Sequence, residues 1–216
     1  MRGRILAGLL GLLGLLLAVP AGAGETFQID RAHSHVNFEI RHLISTVTGS
    51  FKDFGGTIDL DRADLTKSSV DFAIQTASID TGQEGRDKHL RSPDFFDAEK
   101  HPQITFKSKK IIQKSAEYYD VIGDFTMHGV TKEIILPVKF LGLTKGPRGG
   151  DLAGFKIDFV LDRKAYGIAW NKDYQAGLML LGDDVDVRIS LETAPPPPPK
   201  PADKPAPAAE KPAEKK

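Results

Sequence analysis

Residues 185–192 read Val-Asp-Val-Arg-Ile-Ser-Leu-Glu, a strict alternation of apolar and polar side chains. Side chains of a β-strand point alternately to its two faces, so this stretch predicts a strand with one apolar and one polar face. Residues 155–161, Phe-Lys-Ile-Asp-Phe-Val-Leu, keep their apolar side chains at the same spacing. Two such stretches near the end of the chain indicate a sheet that buries a single face.

The same period recurs along the chain and gives about eight segments, including 49–60 with a bend at Gly55-Gly56. Turn signals separate several of them, at 114–115, 128–129 and 145–150. A run of short strands with little helical pattern indicates an all-β, antiparallel up-and-down barrel or sandwich. The other alternating apolar residues are Val36, Phe38, Ile40, Phe51, Ile58, Leu60, Val70, Phe72, Ile74, Ile104, Phe106, Val121, Phe125, Met127, Ile134, Leu136, Val138 and Phe140.

Residues 81–100 break the alternation, because charged residues and glycines replace the apolar positions. This segment predicts a short helix after the third strand, ending before Pro93. The aromatic pair Phe95-Phe96 follows. Because two adjacent phenylalanines are costly to expose, they are expected to plug one end of the barrel or line its mouth.

The first 23 residues have the pattern of a cleavable secretory signal. Arg2 and Arg4 precede an apolar run over 5–19, and a small-residue tripeptide, Ala21-Gly22-Ala23, follows Pro20. The run is shorter than the roughly 20 residues that span a bilayer, so we expect cleavage after Ala23 and no stable membrane insertion of the mature chain. The predicted compartment is the periplasm.

The domain boundaries follow from composition. A segment from Ala194 to Lys216 begins with five prolines and continues in Lys, Ala, Glu and Pro, which predicts a disordered tail. The barrel domain is therefore placed at 24–193, with 22 basic and 26 acidic residues and a net charge of −4. This balance argues against nucleic acid as a partner. The chain has no cysteine, so disulfides, thiol nucleophiles and cysteine-bound zinc are excluded.

Several motifs together resemble the YceI-like family of periplasmic proteins. The resemblance begins with Ile29-Asp30-Arg31-Ala32-His33-Ser34-His35-Val36-Asn37-Phe38 and continues with Val47-Thr48-Gly49-Ser50-Phe51. Further on it is carried by 78–81, 86–90, 94–97, 102–108, 129–132, Arg163 and Tyr166-Gly167. The order and spacing of these motifs cover nearly the whole domain, whereas the proline-rich tail lies outside the family pattern.

The resemblance implies an extended eight-stranded, lipocalin-like barrel that binds a polyisoprenoid chain, such as an isoprenoid quinone tail or a polyprenyl lipid. It implies no catalysis and no cofactor other than that lipid; some relatives are associated with fatty-acid amides. The headgroup, the oligomeric state and the choice between transport, storage and sensing stay open, and a homodimer is one alternative.

The residues themselves favour the same ligand. An eight-stranded barrel is wide enough to be filled by its own side chains or to hold one slender molecule, and periodicity does not separate these two cases. The predicted lining consists of Phe38, Ile40, Phe51, Ile58, Phe72, Ile74, Phe95, Phe96, Phe106, Phe125, Met127, Phe155, Phe159 and Ile189. At the mouth, His42, Arg86, Asp87 and His89 are expected to contact a headgroup. The alternative for Arg86, Asp87 and His89 is a hydrogen-bonded cap that fixes the short helix over the barrel mouth.

Three other functions are weighed against the carrier. A metal-dependent enzyme would use His33 and His35, which two-residue spacing puts on one face of a strand, but a complete ligand set is missing and the sequence predicts no metal. A hydrolase would need Ser34, His89 and Asp87 to meet, and the chain lacks a Gly-x-Ser-x-Gly elbow. A stress-related protein that binds an envelope partner through the tail is the third.

Overall fold

The computed structural model describes residues 24–147, 149–175 and 177–196. The predicted signal peptide lies outside the described residues, as does the tail beyond 196. Thus the signal and tail assignments stay predictions. Among the described residues, no helix combines the length and apolar character that crossing a membrane requires.

Most of the described residues lie in β-strands, joined by short turns. One α-helix, α1, covers Glu84–Arg91, and single-turn 3-10 helices cover Arg31–His33, Leu65–Lys67, Thr76–Ser78 and Arg163–Tyr166. The strands are β1 Glu25–Ile29, β2 His35–His42, β3 Ser45–Phe51, β4 Phe54–Leu60, β5 Ser69–Gln75, β6 Ile79–Asp80, β7 Gln103–Gln113, β8 Tyr118–Met127, β9 Val130–Lys145, β10 Asp151–Asp162, β11 Asp173–Gln175, β12 Leu178–Met179 and β13 Leu181–Ala194.

Eight of these strands close into an antiparallel barrel in the order β1-β4-β5-β7-β8-β9-β10-β13, and β13 returns to β1. The predicted eight-stranded barrel is therefore confirmed. The seam is short, since β1 and β13 pair only through Gln28 with Ala194 and Ile29 with Thr193. The last strand thus includes Ala194, one residue beyond the predicted domain boundary.

Strand β13 also pairs with a strand outside the ring, along the edge opposite β10. Leu181 and residues 185–190 of β13 pair with β2, with a bulge between them. In turn, β2 pairs with β3, and β3 pairs with the two-residue strand β6. Consequently the β2–β3 hairpin extends one side of the barrel, and its turn over 42–45 stands beside the start of β13. The segment predicted as one bent strand, 49–60, is instead two strands, β3 and β4.

The helix lies where it was predicted, after the third predicted strand (β5), with the 3-10 turn Thr76–Ser78 and β6 between them. Gln83 caps its first turn by accepting from the backbone N–H of Arg86 at 2.7 Å, and Ser92 caps its end one residue before Pro93. Acidic side chains in the first turn and basic ones in the last suit the helix dipole. The buried carboxylate of Asp87 accepts from the backbone N–H and the hydroxyl of Thr81, at 2.9 and 2.5 Å, which ties α1 to the end of β6.

The alternation in sequence becomes an alternation in burial. On β8, for example, Tyr119, Val121, Phe125 and Met127 are buried and the residues between them are more exposed, apart from Gly123. The buried side chains of all the barrel strands point toward a common interior. Burying each large apolar side chain contributes about 1.5–3 kcal/mol, so this pattern accounts for the closed sheet.

The β8–β9 turn depends on a glycine. Gly129 has φ 75°, and a Cβ there would lie 2.7 Å from Cε1 of His101. We expect Gly129→Ala to lower the free energy of unfolding by about 1–3 kcal/mol, because it adds a steric clash to a left-handed backbone. Gly55→Ala is the control, since no heavy atom lies within 4 Å of its Cβ position. Equal shifts of the urea midpoint in the two variants would contradict this account.

Candidate ligand-binding cavity

The interior of the barrel contains a cavity of about 660 Å³. This volume lies inside the range of roughly 300–1,000 Å³ that is typical of small-molecule sites. The side chains of the sheet therefore do not fill the interior completely. Of the two interiors compatible with the alternating sequence, a packed core and a hollow, the structure has the hollow.

All fourteen side chains that the sequence assigns to the lining lie on the wall of this cavity. Phe72 on β5 and Phe106 on β7 are cross-strand neighbours, and Phe106 is in turn the neighbour of Phe125 on β8. Phe155 and Ile189 lie on the opposite wall, on β10 and β13. Their contact with a ligand stays a prediction.

The cavity opens at the end that carries the β2–β3 turn and α1. Ser45, Gly85 and Arg86 belong to its wall and are exposed to solvent, whereas the wall residues at the far end, such as Leu60 and Tyr119, are buried. We call the end formed by the β2–β3 turn, α1 and residues 168–175 and 177–181 the mouth. An occupant would be enclosed by apolar side chains along its length and would meet polar groups only here.

Three of the four predicted mouth residues, His42, Arg86 and His89, belong to the cavity wall. The fourth, Asp87, is buried and bonded to Thr81, off the wall. Arg86 also bonds Thr81, through Nε to the hydroxyl at 2.7 Å and through Nη2 to the carbonyl at 3.0 Å. Asp87 is therefore a structural anchor for the helix, whereas Arg86 remains next to the opening.

An aromatic cluster stands at the mouth. The rings of His89, Phe95 and Trp170 lie with their centroids 5.0 to 5.1 Å apart, mostly edge to face. Nε2 of His89 bonds Asp94 at 2.8 Å, which fixes the orientation of the imidazole. Phe96 packs edge-on against Phe51, on the β3 side of the cavity. The Phe95-Phe96 pair therefore lines the wall near the mouth.

The sequence did not point to the loop that forms the rest of the mouth. Ile168, Trp170, Leu180 and Leu181 line the cavity, yet all except Leu181 lie outside the barrel strands. Arg163 holds this loop in place: Nη1 donates to the carbonyls of Ile168 and Trp170 at 2.7 and 2.9 Å, and Nε donates to Gly182 at 2.9 Å.

The guanidinium of Arg163 is buried, with only 4 % of its side chain exposed. Burial lowers the pKa of Arg163 from its ordinary value, and the neighbouring carboxylates of Asp183 and Asp162 oppose this effect. Nη2 lies 3.5 Å from Asp183 and makes no hydrogen bond. A buried cation is thus retained at the mouth chiefly by backbone carbonyls.

The predicted arrangement of His33 and His35 is wrong. His33 belongs to the 3-10 helix over 31–33 rather than to a strand, because Asp30 caps that turn by accepting from the N–H of Ala32 at 2.9 Å. The residues that meet are Asp30, His33 and Glu192, whose ligand atoms lie within 4.8 Å of one another. Nδ1 of His33 hydrogen-bonds Asp30 at 2.8 Å, and this bond holds the pKa of Asp30 below its ordinary value.

The three residues of the hydrolase hypothesis each have a different partner. The hydroxyl of Ser34 bonds the backbone of Glu192, donating to its carbonyl at 3.2 Å and accepting from its N–H at 3.0 Å. His89 bonds Asp94, and Asp87 bonds Thr81. The serine is therefore used to join the start of β2 to β13, and the structure does not assemble a triad from these residues.

These features define a class: a closed antiparallel barrel with an apolar interior cavity that opens at one end. The family model described as the YceI-like domain matches residues 27–193. The chain belongs to this family.

Relatives and solved structures agree with that assignment. Protein YceI of Escherichia coli O157:H7 is 38% identical over 189 residues, covering 85% of this chain and 95% of the relative. The crystal structure of the Campylobacter jejuni YCEI protein matches with a TM-score of 0.62 at 34% identity, over 76% of this chain and 95% of that one. A polyisoprenoid binding domain from Saccharophagus degradans has the same fold, with a TM-score of 0.59 at 17% identity over 79% of this chain and 98% of that domain.

Proposed function

We propose that this chain is a periplasmic carrier or storage protein that holds one long isoprenoid, or a similar lipid chain, in the barrel cavity and catalyses no reaction. The observation that carries the proposal is the cavity of about 660 Å³, whose wall is composed mainly of aliphatic and aromatic side chains. Such a wall binds hydrocarbon through burial, at about 0.8 kcal/mol per CH₂ group. Family membership and the described ligand class of the Saccharophagus degradans domain support the same choice.

The shape of the site favours a chain-like ligand with one polar end. Apolar side chains line the cavity from Leu60 at the far end to Ile168 near the mouth, while His42, Arg86 and His89 stand at the opening. A lipid in this site would place its chain inside and its headgroup among these three side chains. The affinity would then depend mainly on chain length and only weakly on headgroup chemistry.

Because Ser34, His89 and Asp87 each bond a different partner, the proposal assigns none of them a catalytic role. The export of the chain rests on the signal pattern of residues 1–23, and the choice of the periplasm rests on the resemblance to the YceI-like family of periplasmic proteins.

Native purification tests the proposal. We expect the chain in the osmotic-shock fraction of its host, with Gly24 at its N-terminus. Solvent extraction and mass spectrometry should recover about one long-chain lipid per protein, because a chain in a dry cavity dissociates slowly. Recovery of folded protein without any hydrophobic molecule would contradict the carrier, and retention of the uncleaved chain in the cytoplasm would contradict the location.

A further inference from the structure

Apolar side chains protrude into solvent around the mouth. Ile44, in the turn between β2 and β3, is 98% exposed, and Tyr174 is 57% exposed. Leu178 and Met179, on the β11–β12 hairpin, are exposed as well. Turns normally carry polar residues, and clustered apolar tips on a surface mark an interaction site. We call these four residues the rim.

Hydrogen bonds join the two parts of the rim. The N–H of Leu43 donates to the carbonyl of Leu180 at 2.9 Å. Nη1 of Arg41 donates to the carbonyls of Leu43 and Met179, at 3.1 and 3.4 Å. Leu43 has φ 51°, a conformation that is uncommon for a residue with a side chain. The β2–β3 turn and the hairpin therefore form one surface, and Ile44 is held outward on it.

The rim is continuous with the cavity. His42 and Ser45, on either side of the β2–β3 turn, belong to the cavity wall, as do Leu180 and Leu181, which directly follow the hairpin. A hydrocarbon chain leaving the cavity at this point would pass from apolar wall to apolar rim. A surface covering the rim would thus receive the chain without exposing it to water.

The residues that flank the rim suit a lipid surface with anionic headgroups. Arg41 and Lys172 stand beside the apolar tips together with Asp173. Of the two acidic residues at the start of β13, Asp183 is paired with Lys164 and Arg163, and Asp184 is exposed. The ammonium group of Lys172 lies over the ring of Trp170 at 5.6 Å. Tyrosine and tryptophan prefer the boundary between headgroups and hydrocarbon, and each basic residue near an anionic leaflet adds attraction.

We propose that the rim docks on the surface of a phospholipid bilayer containing anionic lipid, inserting Ile44, Leu178 and Met179 at the headgroup boundary, and that lipid enters and leaves the cavity through this contact. This inference rests on the proposed lipid-carrier function. In this proposal a membrane is the donor or acceptor of the carried lipid, and the protein docks on it peripherally and reversibly.

Vesicle flotation with the full mature chain tests the docking. The probe is vesicles of phosphatidylethanolamine and phosphatidylglycerol, mixed with wild type, Ile44→Asp or Leu141→Asp. Leu141 is the matched control: it is 56% exposed on β9, in the half of that strand farthest from the mouth. We expect Ile44→Asp to weaken vesicle binding at least about tenfold, since burial of an isoleucine side chain outweighs a tenfold change in affinity. Leu141→Asp should bind as wild type does.

The results separate docking from lipid binding. Each variant is also extracted and its bound lipid quantified, and Ile44→Asp should retain as much as wild type. Lipid-loaded wild type that does not float with the vesicles, or equal floating of both variants, overturns the docking proposal and leaves the carrier standing. Protein without bound lipid contradicts the carrier itself. The rim could instead hold two copies of the chain together. A wild-type dimer that does not bind vesicles and that Ile44→Asp converts to a monomer, measured by light scattering, would also overturn the docking proposal.

Discussion

Phe72→Arg is expected to weaken lipid binding about 100-fold or more, a loss of about 2.8 kcal/mol. Phe72 is buried on β5, on the wall of the cavity, and its ring lies 6.1 Å from that of Phe54. A guanidinium placed among these rings would stay charged and would lack an anionic partner, which makes the apolar cavity unfavourable for a hydrocarbon chain. The measurement is the dissociation constant of a fluorescent polyprenol, together with the amount of lipid that copurifies.

Two further variants keep this prediction decisive. Asp71→Arg places the same side chain one residue away, on the outer face of the same strand, where Asp71 is largely exposed, and should leave binding unchanged. Ile189→Trp, on β13, fills the cavity without a charge and should weaken binding about tenfold if steric space limits the ligand. Folded Phe72→Arg protein with the affinity of wild type would remove Phe72 from the lining.

Arg163→Leu is expected to lower the free energy of unfolding by about 3–5 kcal/mol. The change preserves apolar volume but leaves three carbonyls, those of Ile168, Trp170 and Gly182, without their donor. Urea denaturation measures the effect. The chain has a single tryptophan, Trp170, so its emission reports directly on the mouth and should shift to the red as the loop detaches.

The control for Arg163 is Arg188→Leu, on the outer face of β13. Arg188 is 64% exposed and lies 3.7 Å from Glu39, so its loss should cost less than about 1 kcal/mol and leave tryptophan emission unchanged. Similar losses of stability for the two variants would show that the carbonyl contacts of Arg163 contribute little.

The barrel could be predicted because the alternation of apolar and polar residues that forms its strands is local and periodic in the sequence. In β8 and β13 the identity of every second residue reports which face it occupies, so the wall residues, such as Phe125 and Ile189, could be chosen before any pairing was known. Strand β1 follows the same rule through Phe27 and Ile29, but it is only five residues long, and two apolar positions are too few to predict a separate strand.

The loop that completes the mouth could not be predicted, because its position depends on contacts between distant segments. Trp170 joins the cavity only because Arg163 and the start of β13 position its loop. Likewise, the two-residue spacing of His33 and His35 indicated one strand face, but the Asp30 cap turns the chain before β2 begins. The sequence does contain a signal for this turn: the side chain of Asp30 can bond the backbone N–H two residues later, which favours a turn over a strand at His33.

The seam between β1 and β13 bears on the order of assembly. These strands lie about 165 residues apart in sequence yet close the ring through two residue pairs, with Thr193 fully buried at the join. Hairpins such as β7–β8 and β8–β9 can form from neighbouring segments, whereas closure must wait until the final strand is available. Until then the apolar inner surface of the sheet stays open along one side. A folding chain is therefore most vulnerable to aggregation just before its last strand is added.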